Sequence, residues 1–171
     1  MKSSNSRGEV FRLVCVTVGV LYLLVLTWLL LNRFRSMMEY GEWTQYIRTH
    51  TNLIPFSTIS FYMSNLTSGM MNNSIIVRNL LGNLLPFLPM GILLPVIFEK
   101  MKHFGWFLLT QFCVITVFEA IQLLTTTGSF DVDDILLNLV GAVIGWFLWL
   151  AAHRIYTGMQ VVQKKEAKSK E

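Results

Sequence analysis

Cysteine and histidine are scarce in this chain, with two of the first and three of the second among 171 residues. Both cysteines, Cys15 and Cys113, fall inside apolar segments, where they fit neither a disulfide framework nor a metal knuckle. No motif pairs a nucleophilic Ser or Cys with one of the histidines, which removes the simplest covalent chemistry. Charge is thin as well: 14% of residues are charged while 53% are hydrophobic. A soluble domain of this length needs more polar surface than that, so the composition points to an integral membrane protein. The formal charge of +4 is no nucleic-acid signal, because Lys and Arg lie at the ends of apolar segments and in the tail.

Long apolar runs are what the chain has instead. Residues 13–31, 80–98 and 135–152 carry no charge, and residues 104–124 carry one, Glu119. At ~1.5 Å per residue these runs reach roughly 27–32 Å, enough to cross the hydrocarbon. The first run is too long for a secretory signal and no small-residue cleavage site follows it, so it reads as a retained anchor. The expected architecture is all-α: one polytopic membrane domain over 13–152 with four transmembrane helices and a long outer loop, 33–78, between the first and second. A cytoplasmic tail, 1–12, precedes it and a basic cytoplasmic tail, 153–171, follows. The end of that tail, "QKKEAKSKE", reads as solvated and disordered.

Orientation follows from the cations. Lys2, Arg7, Arg12, Lys100, Lys102, Arg154 and four lysines of the tail lie on one side; Arg33, Arg35, Arg48 and Arg78 lie on the other. The positive-inside rule places both termini in the cytoplasm. Loop 33–78 and the turn at 125–133 are then outside, and Glu119 lies about 7.5 Å beneath the outer end of the third span. Trp28, Trp106, Trp146 and Trp149 sit near span ends, where indole rings favour the headgroup level.

The outer loop has two features. In "MMEYGEWTQYI" (37–47), Tyr40, Trp43 and Ile47 recur at helical spacing, which fits either a short interfacial helix or, given Gly41, a plain loop. In "NLIPFSTI" (52–59), Pro55 forbids a helix interior while Leu53, Ile54 and Phe56 call for burial, so an apolar turn dipping against the bundle is expected. The second span holds Pro86 and Pro89 three residues apart, which predicts a kink or a local break. Asn79 and Asn83 share a face near its outer end, with Arg78 beside them.

The polar residues of the last two spans form the candidate site. Glu119 and Gln122 are spaced i, i+3 on the third; Asp134 and Asn138 are spaced i, i+4 on the fourth, and Gly141 and Gly145 extend that stripe for close helix packing. A carboxylate facing lipid costs at least ~2.5–3.5 kcal/mol on insertion scales, so Glu119 is expected to point into the bundle. There it pairs with a cation or metal, or keeps its proton and donates a hydrogen bond. Arg78 is the nearest candidate cation by depth; Arg48 and His50 are others. Asp131, Asp133 and Asp134 suit the start of the fourth helix, where the dipole favours negative charge. Acidic oxygens converging there could instead hold a divalent cation, although the spacing matches no metal motif.

At these residues the chain resembles the VanZ-like family of small bacterial membrane proteins. "NLIPF" matches the family's Asn-Leu-x-Pro-Phe, and "GNLLPFLPMGILLP" supplies Gly82, Asn83, Phe87, Pro89 and Gly91. "FEAIQ" matches Glu-x-x-Gln, and "FDVDDILLNLVGAVIG" gives Asp131, Asp134, Asn138, Gly141 and Gly145 in family order. Many members carry an Arg just before that last block; here Thr127, Gly128 and Ser129 occupy the stretch, leaving pairing to Arg78. The resemblance implies a link to low-level resistance to teicoplanin, a lipid-tailed glycopeptide that acts outside the cell.

Three functional classes fit. The first is a binding or shielding protein whose outer site, Arg78, Asn83, Glu119, Gln122, Asp131, Asp134 and Asn138, engages a lipid-linked cell-wall precursor or the glycopeptide itself. The second is a membrane-embedded enzyme with Glu119 as acid or base and Asp131 or Asp134 orienting a nucleophile. The third is a structural protein whose polar residues fix helix register. Membrane lipids are the expected partners, nucleic acid is not, and no cofactor or resident metal is expected.

Overall fold

A computed structural model describes residues 3–31 and 43–168, with side chains from 8 to 163 within them. The expectations for Arg33, Arg35 and residues 37–42 lie outside the described residues. Helix α1 spans Ser3–Leu31 and α2 Trp43–Thr49, followed by a two-residue strand β1, Thr51–Asn52. Then come α3, Ser57–Ser68; α4, Asn73–Leu84; and α5, Leu88–Ile97. A 3₁₀ turn, Glu99–Lys102, leads into α6, Phe104–Leu124. Strand β2, Phe130–Asp131, precedes α7, Val132–Lys168.

Among the described residues, four stretches are long and apolar enough to cross a membrane: Gly8–Leu31, Asn73–Ile97, Phe104–Leu124 and Val132–Gln163. The second is the broken one. Helix α4 ends at Leu84, three non-helical residues follow, and α5 restarts with Pro89 at its second position, where a missing N–H costs nothing. The break is held from α1, whose Tyr22 hydroxyl donates to the Pro86 carbonyl.

Glycine explains how α7 packs there. A methyl group at Gly141 would meet the Leu84 carbonyl oxygen at 1.7 Å, and one at Gly145 would meet that of Leu88 at 2.1 Å. Gly91 faces the Ala142 carbonyl in the same way. Without side chains at these points the two halves of the broken span lie directly on α7. Phe87, Met90, Phe107, Ile115, Ile135 and Ala142 fill the core around the contact.

Several expectations are corrected. Trp146 and Trp149 are buried, and Trp146 Nε1 donates to the Met101 carbonyl at 3.0 Å, in the 3₁₀ turn between the second and third spans. The α6 start packs over these rings, with Phe104 and Trp146 centroids 5.0 Å apart, so indole area is gained inside the bundle. The side chains of Leu53, Ile54 and Phe56 are exposed, whereas the backbone of their turn is the part fixed to the bundle. Helix α2 buries Tyr46 and leaves Trp43 and Ile47 exposed, so its inner face is offset from the expected stripe. The tail expected to be disordered continues α7 to Lys168, because no proline interrupts it and Gln, Lys, Glu and Ala favour helix.

The two ends of the bundle differ. At one, Arg12 Nη2 donates to the Ile97 carbonyl at 3.2 Å, and Phe11 of α1, Lys102 of the 3₁₀ turn and His153 of α7 line one cavity. At the other, β1 and β2 pair in parallel, Thr51 with Phe130 and Asn52 with Asp131. That pairing ties the segment after α2 to the turn between α6 and α7.

Candidate functional site

The site grows from the short β bridge. Once Asn52 and Asp131 are neighbours, Asn52 Nδ2 lies 3.1 Å from Asp131 Oδ1, and it also reaches Ser57 Oγ at 2.7 Å. Asn52 Oδ1 accepts the Ile54 amide at 3.1 Å, and the Ser57 amide donates to the Ile54 carbonyl at 3.4 Å to close the turn through Pro55. Thr58 Oγ1 donates to Asp131 Oδ2 at 2.6 Å. Asp131 also caps α7, since its Oδ1 accepts the Asp133 amide at 2.8 Å.

Asp133 turns the other way. Its carboxylate accepts the amides of Phe56 (2.5 Å), the residue before α3, and of Thr58 (2.8 Å) and Ile59 (3.0 Å) in its first turn. A helix start leaves such donors without partners, and its dipole favours an anion there. One buried carboxylate on α7 thus supplies the cap that Phe56 lacks. Asp133 is therefore a cap for α3, not for the fourth helix that the acidic triplet was expected to cap.

Asp134 accepts from Asn83 Nδ2 across to α4. One turn deeper, Asn138 is buried and its Oδ1 has no hydrogen-bond partner among the described residues. On α6, Gln122 Nε2 donates to the Leu30 carbonyl at 3.3 Å. Its own carbonyl accepts the Thr127 amide at 2.9 Å and the Gly128 amide at 3.2 Å, which shapes the turn beyond the helix. Glu119 is buried one turn deeper on the same helix.

These elements enclose a cavity of about 220 Å³. Asn83, Gln122, Asp131 and Asp134, four of the seven residues expected in the site, line it together with Asn79, Thr58 and Tyr62. Glu119 and Asn138 lie outside its lining, deeper in the bundle. Burial raises the Tyr62 hydroxyl above the ordinary phenol range, and the Asp134 and Asp131 carboxylates raise it further. Among the described residues, no three His, Cys, Asp or Glu side chains group as a metal set.

Arg78, expected in the site and as the cation for Glu119, is exposed and does not line the cavity. Helical geometry gives the reason. Ile76 and Asn83 are the buried positions of α4, and Arg78 is about 200° round the axis from Ile76. Arg48 is exposed as well, while the His50 ring stacks on Tyr46 and lies 3.0 Å from the Tyr46 carbonyl. Thr58 and Tyr62 were missed by the sequence reading. The signal was the pair Ser57-Thr58 directly after a proline turn, a polar helix start inside an otherwise apolar segment.

Fold and site together define a multi-pass α-helical membrane protein with a small polar cup at one end of the bundle. The VanZ/LLP1 family profile matches residues 19–153, and the chain belongs to that family. It is 28% identical to Protein VanZ of Enterococcus faecium over 129 residues, 75% of this chain and 69% of that protein. No solved structure matches it.

Proposed function

We propose that the cup faces the cell exterior and binds a donor-rich group of a lipid-linked cell-wall precursor or a lipoglycopeptide such as teicoplanin, lowering the antibiotic's access to its target. The observation that carries this reading is the cavity wall, where the Asp131 and Asp134 carboxylates lie beside the amides of Asn79, Asn83 and Gln122. Such a wall suits ammonium or clustered hydroxyl groups, which bring the hydrogen-bond donors that carboxylates accept. At about 220 Å³ the cavity is smaller than a pocket for a whole drug-sized molecule, roughly 300–1,000 Å³, so one headgroup-sized part enters.

What supports binding over turnover is the engagement of Asp131, whose oxygens already receive Asn52, Thr58 and the Asp133 amide. A group so occupied is poorly placed to orient a nucleophile. The outward orientation rests on the cations, since Arg12, Lys100, Lys102 and Arg154 all belong to the end away from the cup.

The test is a titration of the purified protein with teicoplanin and with a lipid-linked cell-wall precursor, alongside resistance of cells expressing it. Saturable binding without product, weakened in Asp134→Asn together with resistance, is the expected result. Absence of binding to both ligands, with resistance unchanged in Asp134→Asn, would sink the reading. Thiol labelling of a Ser129→Cys variant from the cell exterior checks the orientation.

A further inference from the structure

At the opposite end of the bundle lies a second and larger cavity, about 550 Å³, which the reading above does not use. Phe11, Pro95, Val96 and Trp149 form its apolar wall. Pro95 and Trp149 are buried and make its floor, while His153 is exposed and Lys102 half-buried. The His153 ring stacks on Trp149, centroids 5.3 Å apart and planes 15° from parallel, which fixes the imidazole over the cavity.

We propose that this cavity holds an anionic glycerophospholipid of the surrounding bilayer, with an acyl chain along the apolar wall and the phosphate at Lys102 and His153. Charge complementarity identifies the occupant. Lys102 and His153 line the cavity, Arg12 lies at the same end on the Ile97 carbonyl, and the exposed carboxylate of Glu99 pairs with Lys102. The Lys102 hydrogen bond, 2.7 Å long, is the largest influence holding that carboxyl below its usual range; Lys102, Arg12 and His153 also act through their charge. An anion is therefore favoured where Glu99 stands, and a phosphate can share or replace it. Basic pockets between membrane helices recognise lipid headgroups in this way. The apolar wall adds what a free phosphate cannot use, because each buried methylene contributes about 0.8 kcal/mol.

The test is native mass spectrometry of the full chain, released from micelles containing equal phosphatidylglycerol and phosphatidylcholine. The wild-type protein is expected to retain one phosphatidylglycerol in preference to phosphatidylcholine. Lys102→Gln should lower that preference about fivefold, the share of roughly one cation near a lipid surface. His153→Gln should lower it further when added. Glu99→Gln provides the discriminating arm: it removes the Lys102 ion pair but frees the cation, so the preference should rise. Equal retention of both lipids by the wild type overturns the proposal. So does a Glu99→Gln protein that loses the preference as Lys102→Gln does, since the ion pair would then be merely structural. Displacement of the lipid by inorganic phosphate alone, at a concentration matching the lipid, would also overturn it and assign the spot to a free anion.

Discussion

The carboxylate of Asp133 accepts the backbone amide of Phe56 at 2.5 Å, joining the first turn of α7 to the entry of α3. Phe56 has φ 65°, a left-handed conformation that costs a residue with a side chain roughly 1–2 kcal/mol. The turn is therefore held open at a cost, and Asp133 offsets it through three N–H bonds. Asp133→Ala leaves those donors unmet and should destabilise the protein by about 3 kcal/mol, as expected for lost bonds to a buried charged acceptor. Asp133→Asn keeps one acceptor oxygen and should fall between. Thermal unfolding in detergent reads both; an unchanged Tm for Asp133→Ala would refute the capping role.

Gly141 is where the break in the second span touches α7. A methyl group there would lie 1.7 Å from a backbone oxygen, and backbone cannot swing aside as a side-chain tip can. Gly141→Ala should cost at least ~2 kcal/mol through overpacking, with loss of folded protein on size exclusion. Gly82→Ala, where nothing lies within 4 Å, is the control that should fold normally.

Within the cup, Asp134→Asn should weaken ligand binding or resistance about tenfold, the worth of one hydrogen bond to a charged group. Arg78→Gln should leave both unchanged, because Arg78 is exposed and outside the lining. A binding curve for Arg78→Gln that drops as far as that for Asp134→Asn would place the functional surface elsewhere.

Tyr62 supplies a pH test. Its hydroxyl pKa lies above the usual 10.0 through burial, then Asp134, then Asp131. Below pH 10 the phenol is neutral in folded and unfolded chains alike and stability does not depend on it. Above that, the unfolded chain releases the proton first, so stability falls as pH rises towards the folded pKa. Asp134→Asn should bring the Tyr62 tyrosinate transition, isolated by comparison with Tyr62→Phe, to lower pH while leaving the burial contribution.

The spans were legible because an apolar run long enough for a bilayer has few other uses. Residues 104–124 became α6 with the expected limits, and Pro86 and Pro89 mark the break. Asn83, Gln122 and Asp134 were legible from helical spacing, and Asp131 from its place just before the fourth helix. Arg78 was misplaced because depth along a helix says nothing about direction around it. The burial of Trp146 was not legible because its neighbours Phe104 and Phe107 meet it only through the fold. Asp133 carried no sign of its partners, since the three amides that meet it are more than seventy residues away in sequence.

Helix α7 has a further consequence through its length. Thirty-seven residues extend about 55 Å, against a hydrocarbon layer of roughly 30 Å. With Val132 fixed at the cup, the surplus of about 25 Å projects beyond the opposite face as a stalk. A fluorescent reporter fused past Lys168 would ride on that mast, clear of the headgroups, and leave the lipid-side cavity unobstructed.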